Sequence, residues 1–262
     1  LVERVTATNI VGTQTVWSVS TSEVVSGPVL KTPPTFTYPA THANPIVGQS
    51  MSTDGGIWKG VPTPDKTYEW FVCDIAFVGK ATAPVEADKC QKLEIEGTST
   101  ITPTEETRGK FLVAHIHATN IHGEDDYYSS STTAVWMAPV AVAPVVPWGT
   151  PFNKLFLKAK QDTWKAFPEI TATDKTYQWY TCTSVVALAA RTLDGSCSEI
   201  TGATQSTYQI DRSYTGKYVL VSITATNSAG AATVYSASTS LAVVAGYEPV
   251  TDVTVAATDG VT

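Results

Sequence analysis

Apolar and polar residues alternate along two stretches of this chain. Val221, Ile223 and Ala225 alternate with Ser222, Thr224 and Thr226, and Ala114, Ile116 and Ala118 alternate with His115, His117 and Thr119. A period of two predicts a half-buried strand, apolar face to a core and polar face to water. Each stretch ends at Asn-x-x-Gly, at Asn120 to Gly123 and at Asn227 to Gly230, and the same four-residue motif stands at Asn9 to Gly12. Asn and Gly tolerate positive φ, so the motif predicts a hairpin turn leading into a second strand. On that strand an aromatic recurs eight residues after the Asn, at Trp17, Tyr128 and Tyr235, followed by Ser-x-Ser-Thr.

A second pattern occurs twice, KTYEWFVC at 66–73 and KTYQWYTC at 175–182. Tyr68, Trp70 and Val72 share one face of a strand, as do Tyr177, Trp179 and Thr181. The other face carries Glu69, Phe71 and Cys73, or Gln178, Tyr180 and Cys182. With the tryptophan as core anchor, the cysteines point outward. IWKGVP at 57–62 and TWKAFP at 163–168 precede these strands.

The hairpin phrase aligns without a gap at 1–21, 112–132 and 219–239, so its spacing is roughly 110 residues. Repeats of that length mean tandem domains, each with its own core. The predicted organisation is the closing strands of one repeat at 1–27, whole repeats at 28–138 and 139–245, and at 246–262 a linker and the first strand of a following module, whose stretch EPVTDVTVAATDGVT resembles the opening of a fibronectin type III domain. Each whole repeat offers about seven short strands with Gly, Pro, Asp and Asn between them, the pattern of a β-sandwich. No crossover helix long enough for a parallel βαβ unit is visible.

Composition narrows the partners. Of 262 residues 43% are hydrophobic and only 16% charged, against a usual share near 25%. A net charge of −7 disfavours nucleic acid and anionic lipid. No apolar run approaches the roughly 20 residues of a membrane span. The most apolar stretch, 137–147, is broken by three prolines and reads as a linker or first strand.

Four cysteines permit three connectivities. Repeat symmetry favours Cys73 with Cys90 and Cys182 with Cys197 over a shared metal site, for which no CxxC and no histidine inside either loop is present. Disulfides place the chain outside the cytoplasm, with each bridge pinning an excursion across the outside of its sheet.

The second repeat gathers Trp164, Tyr177-Gln178-Trp179-Tyr180, Cys182, Cys197, Ile200, Gly202-Ala203-Thr204, Ser206-Thr207-Tyr208, Gly216-Lys217 and Asn227-Ser228-Ala229-Gly230. This set resembles a bacterial immunoglobulin-like repeat of large secreted and cell-surface proteins, notably of actinobacteria. The first repeat departs from it with Ile95-Glu96-Gly97-Thr98. The resemblance implies an all-β fold, tandem immunoglobulin-like sandwiches in an extended array, and a role as stalk or spacer.

Candidate chemistry is sparse. His115 and His117 share a strand face and His122 lies at the hairpin tip beside Glu124, Asp125 and Asp126, a set that could hold zinc or nickel. The matching residues Arg4 and Thr6, or Ser222 and Thr224, mark a polar, solvated face instead, so no metal and no cofactor is expected. The second repeat has no histidine and the thiols are paired, which leaves no nucleophile–base couple and no expectation of an enzyme. Trp58 and Trp164 are the candidate binding aromatics, although their recurrence fits packing as well.

The expected function is structural: an adhesin stalk, surface-layer or appendage component at the cell surface, with neighbouring repeats, other copies or a surface glycan as partners. A glycan- or protein-binding module and a filament subunit built by strand complementation are the alternatives.

Overall fold

A computed structural model describes residues 1–39, 42–160, 163–187 and 192–246. The opening strand expected within 246–262 lies outside the described residues from 247 onward. No α-helix occurs among the described residues, and no helix is long and apolar enough to cross a membrane. The chain divides into two compact units, Leu1–Met137 and Ala138–Thr262.

The first unit contains β1 (Arg4–Asn9), β2 (Gly12–Trp17), β3 (Ser26–Thr32), β4 (Phe36–Thr37), β5 (Met51–Thr53), β6 (Ile57–Val61), β7 (Asp65–Cys73), β8 (Cys90–Glu96), β9 (Thr100–Ile101), β10 (Phe111–Asn120) and β11 (Gly123–Tyr128). The second follows with β12 (Met137–Ala141), β13 (Val146–Trp148), β14 (Phe156–Lys160), β15 (Trp164–Phe167), β16 (Lys175–Cys182), β17 (Cys197–Glu199), β18 (Thr207–Gln209), β19 (Tyr218–Asn227) and β20 (Gly230–Tyr235).

The same plan is built twice. One sheet runs β11-β10-β7-β8 and its counterpart β20-β19-β16-β17; the facing sheet runs β4-β5-β9 and its counterpart β13-β14-β18. Two-stranded pairs β3-β6 and β12-β15 complete the units. A Trp-bearing strand paired to a long hairpin in one sheet, faced by a short antiparallel sheet, is the immunoglobulin sandwich arrangement. Both units are immunoglobulin-like β-sandwiches.

Tryptophan anchors each core. Trp70 and Trp179 are fully buried, with Met51, Ile101, Leu112 and Ile116 around the first and Leu157, Ile210, Val221 and Ile223 around the second. Their indole N–H groups are satisfied by backbone, Trp70 donating to the Thr98 carbonyl at 3.0 Å and Trp179 to that of Gln205 at 2.8 Å. A buried indole without such an acceptor would forfeit a hydrogen bond to water.

The turn works differently from the sequence expectation. Asn120 pairs with Gly123 and Asn227 with Gly230, so the loops contain two residues. The glycines take positive φ, at 149° and 144°, and the asparagines do not. Asparagine is there for its amide. Its Oδ1 accepts from the backbone N–H of His122 or Ala229 inside the loop, and its Nδ2 donates to the carbonyl of Pro62 or Pro168. Both prolines follow cis peptide bonds. One side chain thus closes its turn and ties it to the neighbouring strand end.

The Ser-x-Ser-Thr stretch extends the ladder beyond the strands. Ser129 Oγ accepts from Ala114 N–H and Ser236 Oγ from Val221 N–H, both at 2.9 Å, while Thr132 and Thr239 accept from Leu112 and Val219. Ser18 and Thr21 make the same bonds to Glu3 and Leu1 in the first copy.

Candidate functional site

The cysteines lie on the sheet face opposite Trp70 and Trp179, but that face is largely covered. Cys73 and Cys90 are register partners on β7 and β8, Cys182 and Cys197 on β16 and β17, and each pair is joined by a disulfide within one sheet. Cys73 and Cys182 are fully buried. In the first unit the segment between the cysteines crosses the outer face of β10 and reaches β11, where Lys80 and Tyr128 exchange backbone hydrogen bonds. It lays Phe77 against Cys73, Val113 and Tyr128; in the second unit Val186 meets Cys182, Tyr180 and Leu220. The result is a second small core on the outside of each sheet. Residues 112–116 and 219–223 are therefore buried on both faces, where alternation alone predicts one.

This corrects the reading of the histidine face as solvated. His115 is only 9% exposed. Its ring stacks on Tyr128, its register partner, with centroids 4.2 Å apart and planes within 5°. Its Nδ1 lies 3.0 Å from Glu69 Oε2 on β7 and its Nε2 lies 2.7 Å from Asp126 Oδ1 on β11. The ring thus bridges carboxylates on the two strands that flank β10. His117 Nδ1 meets the same Asp126 oxygen at 2.9 Å, and Lys92 Nζ pairs with Glu69 Oε1 at 2.8 Å.

The hydrogen bond from Lys92, then that from His115, holds the Glu69 carboxyl below its usual range against the effect of burial. Burial pushes Asp126 up, but the hydrogen bonds of His115 and His117 outweigh it and leave that carboxyl lowered too. Burial, then the charges of Asp126 and Glu69, raise the Tyr128 phenol.

The cluster is a variation on a shared theme. Arg4 sits over Trp17 at 5.7 Å where His115 stacks on Tyr128. Thr6 bonds Thr15 and Thr224 bonds Thr233 where His117 bonds Asp126. His122 stands apart, exposed in the two-residue loop. Among the described residues no group of three His, Cys, Asp or Glu is placed to hold a metal ion.

Trp58 and Trp164 are half-buried and packed against the two cores, and Trp58 Nε1 donates to the Gly55 carbonyl at 2.9 Å. Both thus serve the packing that their recurrence suggests. Among the open aromatics, Trp148 at 62% and Phe156 at 60% exposure share the outer face of β13-β14-β18, and Trp17 at 63% lies on the hairpin β1-β2. The strict alternation of Phe156-Leu157-Lys158-Ala159-Lys160, an exposed and a buried residue in turn, is the signal that marks Phe156 as outward.

No protein-family model matches the chain, and no curated protein matches its sequence. Among solved structures it is similar to Sidekick-1 immunoglobulin domains 1–5, with 13% identity over 89% of this chain and 45% of that one and a TM-score of 0.31. It is similar to the titin I-band fragment I67–I69, with 16% identity over 79% and 65% and a TM-score of 0.31. It is also similar to the N-terminal four immunoglobulin domains of Dscam1 isoform 9.44, with 13% identity over 86% and 50% and a TM-score of 0.32. The chain spans between 45% and 65% of the length of these solved chains. The strand order carries the fold without them.

Proposed function

We propose that the chain is a structural spacer within a secreted or cell-surface protein of bacterial immunoglobulin-like repeats, of the kind that forms adhesin stalks, surface layers or appendages. One observation carries this: the residues that the repeats share are absorbed by structural tasks. Tryptophan fills the core, asparagine closes the turn, serine and threonine cap strand amides, and cysteines lock neighbouring strands. Two disulfides support an extracytoplasmic location, because thiols stay reduced in the cytosol. The test exchanges residues 28–245, in the protein that carries them, for two unrelated sandwiches of equal span. Retained function is expected; loss of function would overturn the spacer reading.

Self-assembly by strand complementation is a second reading, favoured by the hairpin β1-β2. Among the described residues its strands pair only with each other, whereas β10 and β19, which carry the same phrase, each have a Trp-bearing strand on the other side. Val5, Val16 and Trp17 are exposed on it. An open strand edge beside apolar side chains invites another chain's strand. Sizing the purified chain decides: a ladder supports assembly, a monomer at high concentration excludes it.

A further inference from the structure

The outer face of β13-β14-β18 differs in kind from its counterpart in the first unit. β14 alternates with the pleat: Leu157 and Ala159 go to the core, and Phe156, Lys158 and Lys160 face out, spaced about 7 Å apart along the strand. Trp148 on β13 is the register partner of Lys158, and Phe156 is that of Gln209 on β18. Trp148 and Phe156 are thus diagonal neighbours on one face, within reach of a single ligand. Gly149 sets the spacing, because a Cβ there would lie 2.7 Å from the Phe156 carbonyl oxygen.

The fold does not require these rings. By register, Trp148, Phe156, Lys158 and Lys160 correspond to Thr37, Ser50, Ser52 and Asp54 of the first unit, small polar residues and one acid. The first sandwich is complete with that neutral-to-acidic face. In the second, two rings stand about 60% exposed. Neither Lys158 nor Lys160 has an ion pair to a described residue, in a chain whose net charge is −7. Two adjacent ring faces form an exposed apolar patch rimmed by cations, the kind of surface that marks a ligand site.

The size of the face selects the ligand. A central strand of five residues between two of three covers on the order of 200 Å², against about 800 Å² per partner in a stable protein pair. A flat strip with two ring faces, two cations, and the Thr207 hydroxyl and Gln209 amide beside them suits a thin, extended, polar chain. The apolar C–H face of a sugar ring packs on an aromatic ring, and ammonium groups pair with carboxylate or sulfate.

We propose that this face of the second unit binds an anionic polysaccharide, Trp148 and Phe156 stacking on sugar rings while Lys158 and Lys160 pair with its acidic groups. This goes beyond the spacer role and stands or falls apart from it.

The experiment titrates the whole chain calorimetrically with polygalacturonate, heparin and dextran, a carboxylated, a sulfated and a neutral polymer. Binding to at least one anionic polymer is expected, with dextran at least about tenfold weaker. Trp148→Ala and Phe156→Ala should each weaken it about tenfold, and the pair Lys158→Glu with Lys160→Glu should abolish it. Lys59→Glu in the first unit should leave it unchanged. All these side chains are exposed, so circular dichroism and the unfolding temperature should not move. Binding of neither anionic polymer, equal binding of dextran, or binding that survives loss of both rings would each overturn the proposal.

Discussion

Phe77 and Ser131 are joined by two hydrogen bonds, Phe77 N–H to Ser131 Oγ at 3.1 Å and Ser131 N–H to the Phe77 carbonyl at 2.9 Å. Val186 and Ser238 repeat the pair in the second unit at 3.0 and 3.1 Å. The middle serine of Ser-x-Ser-Thr therefore clasps the disulfide excursion to the end of the sheet and seats its apolar side chain. Ser131→Ala and Ser238→Ala should each destabilise their unit by about 1–3 kcal/mol, the cost of a buried N–H without an acceptor. Hydrogen exchange should quicken at the Phe77 or Val186 amide first; unchanged exchange there would rule out the clasp.

Removing one disulfide should cost its own unit about 3 kcal/mol, the chain-entropy value for a loop of about 15 residues. Denaturant unfolding of Cys73→Ala with Cys90→Ala is the measurement. A protein as stable as the parent would show that the excursion is held by Phe77 and Ser131 alone.

Trp179→Ala should destabilise the second unit by about 3–5 kcal/mol, since it empties the centre of a core and orphans the Gln205 carbonyl. Trp164→Ala, from the rim, should cost less than half as much. Equal losses would restore Trp164 to the core proper.

The carboxyls of Glu69 and Asp126 are lowered in the folded chain, the first chiefly by Lys92 and the second by the two histidines against the effect of burial. A lowered folded pKa means stabilisation that is present above the usual carboxyl range near 4 and is lost as pH falls through it and below. Installing the second unit's residues, Glu69→Gln, His115→Ser and Asp126→Thr, should flatten the acid side of the first unit's unfolding curve. A curve of unchanged slope would show that the cluster adds no acid sensitivity.

The alternation at 112–119 and 219–226, the hairpins and the opposed faces of the Trp and Cys residues were legible in the sequence because each depends on neighbours along one strand. Burial of His115 was not. It depends on Tyr128, which stacks on it from across the hairpin and against which Phe77 packs from an irregular segment with no period to read. Asparagine was given the wrong task for a similar reason: its acceptors, the Pro62 and Pro168 carbonyls, lie about 60 residues from it. Trp58 and Trp164 recur and pack against their cores, while Trp148, which stands where the first unit has Thr37, is exposed.

The in-sheet disulfides also set how much length the chain yields under tension. Each closes a segment of 17 or 15 residues between adjacent strands. If a unit is pulled open from its ends, that segment stays looped and cannot be drawn out. Roughly 50–60 Å of contour is withheld per unit at about 3.5 Å per residue. A ruptured repeat would pay out a shorter tether than its residue count allows, and the tether would lengthen only after a reductant reached the bridge.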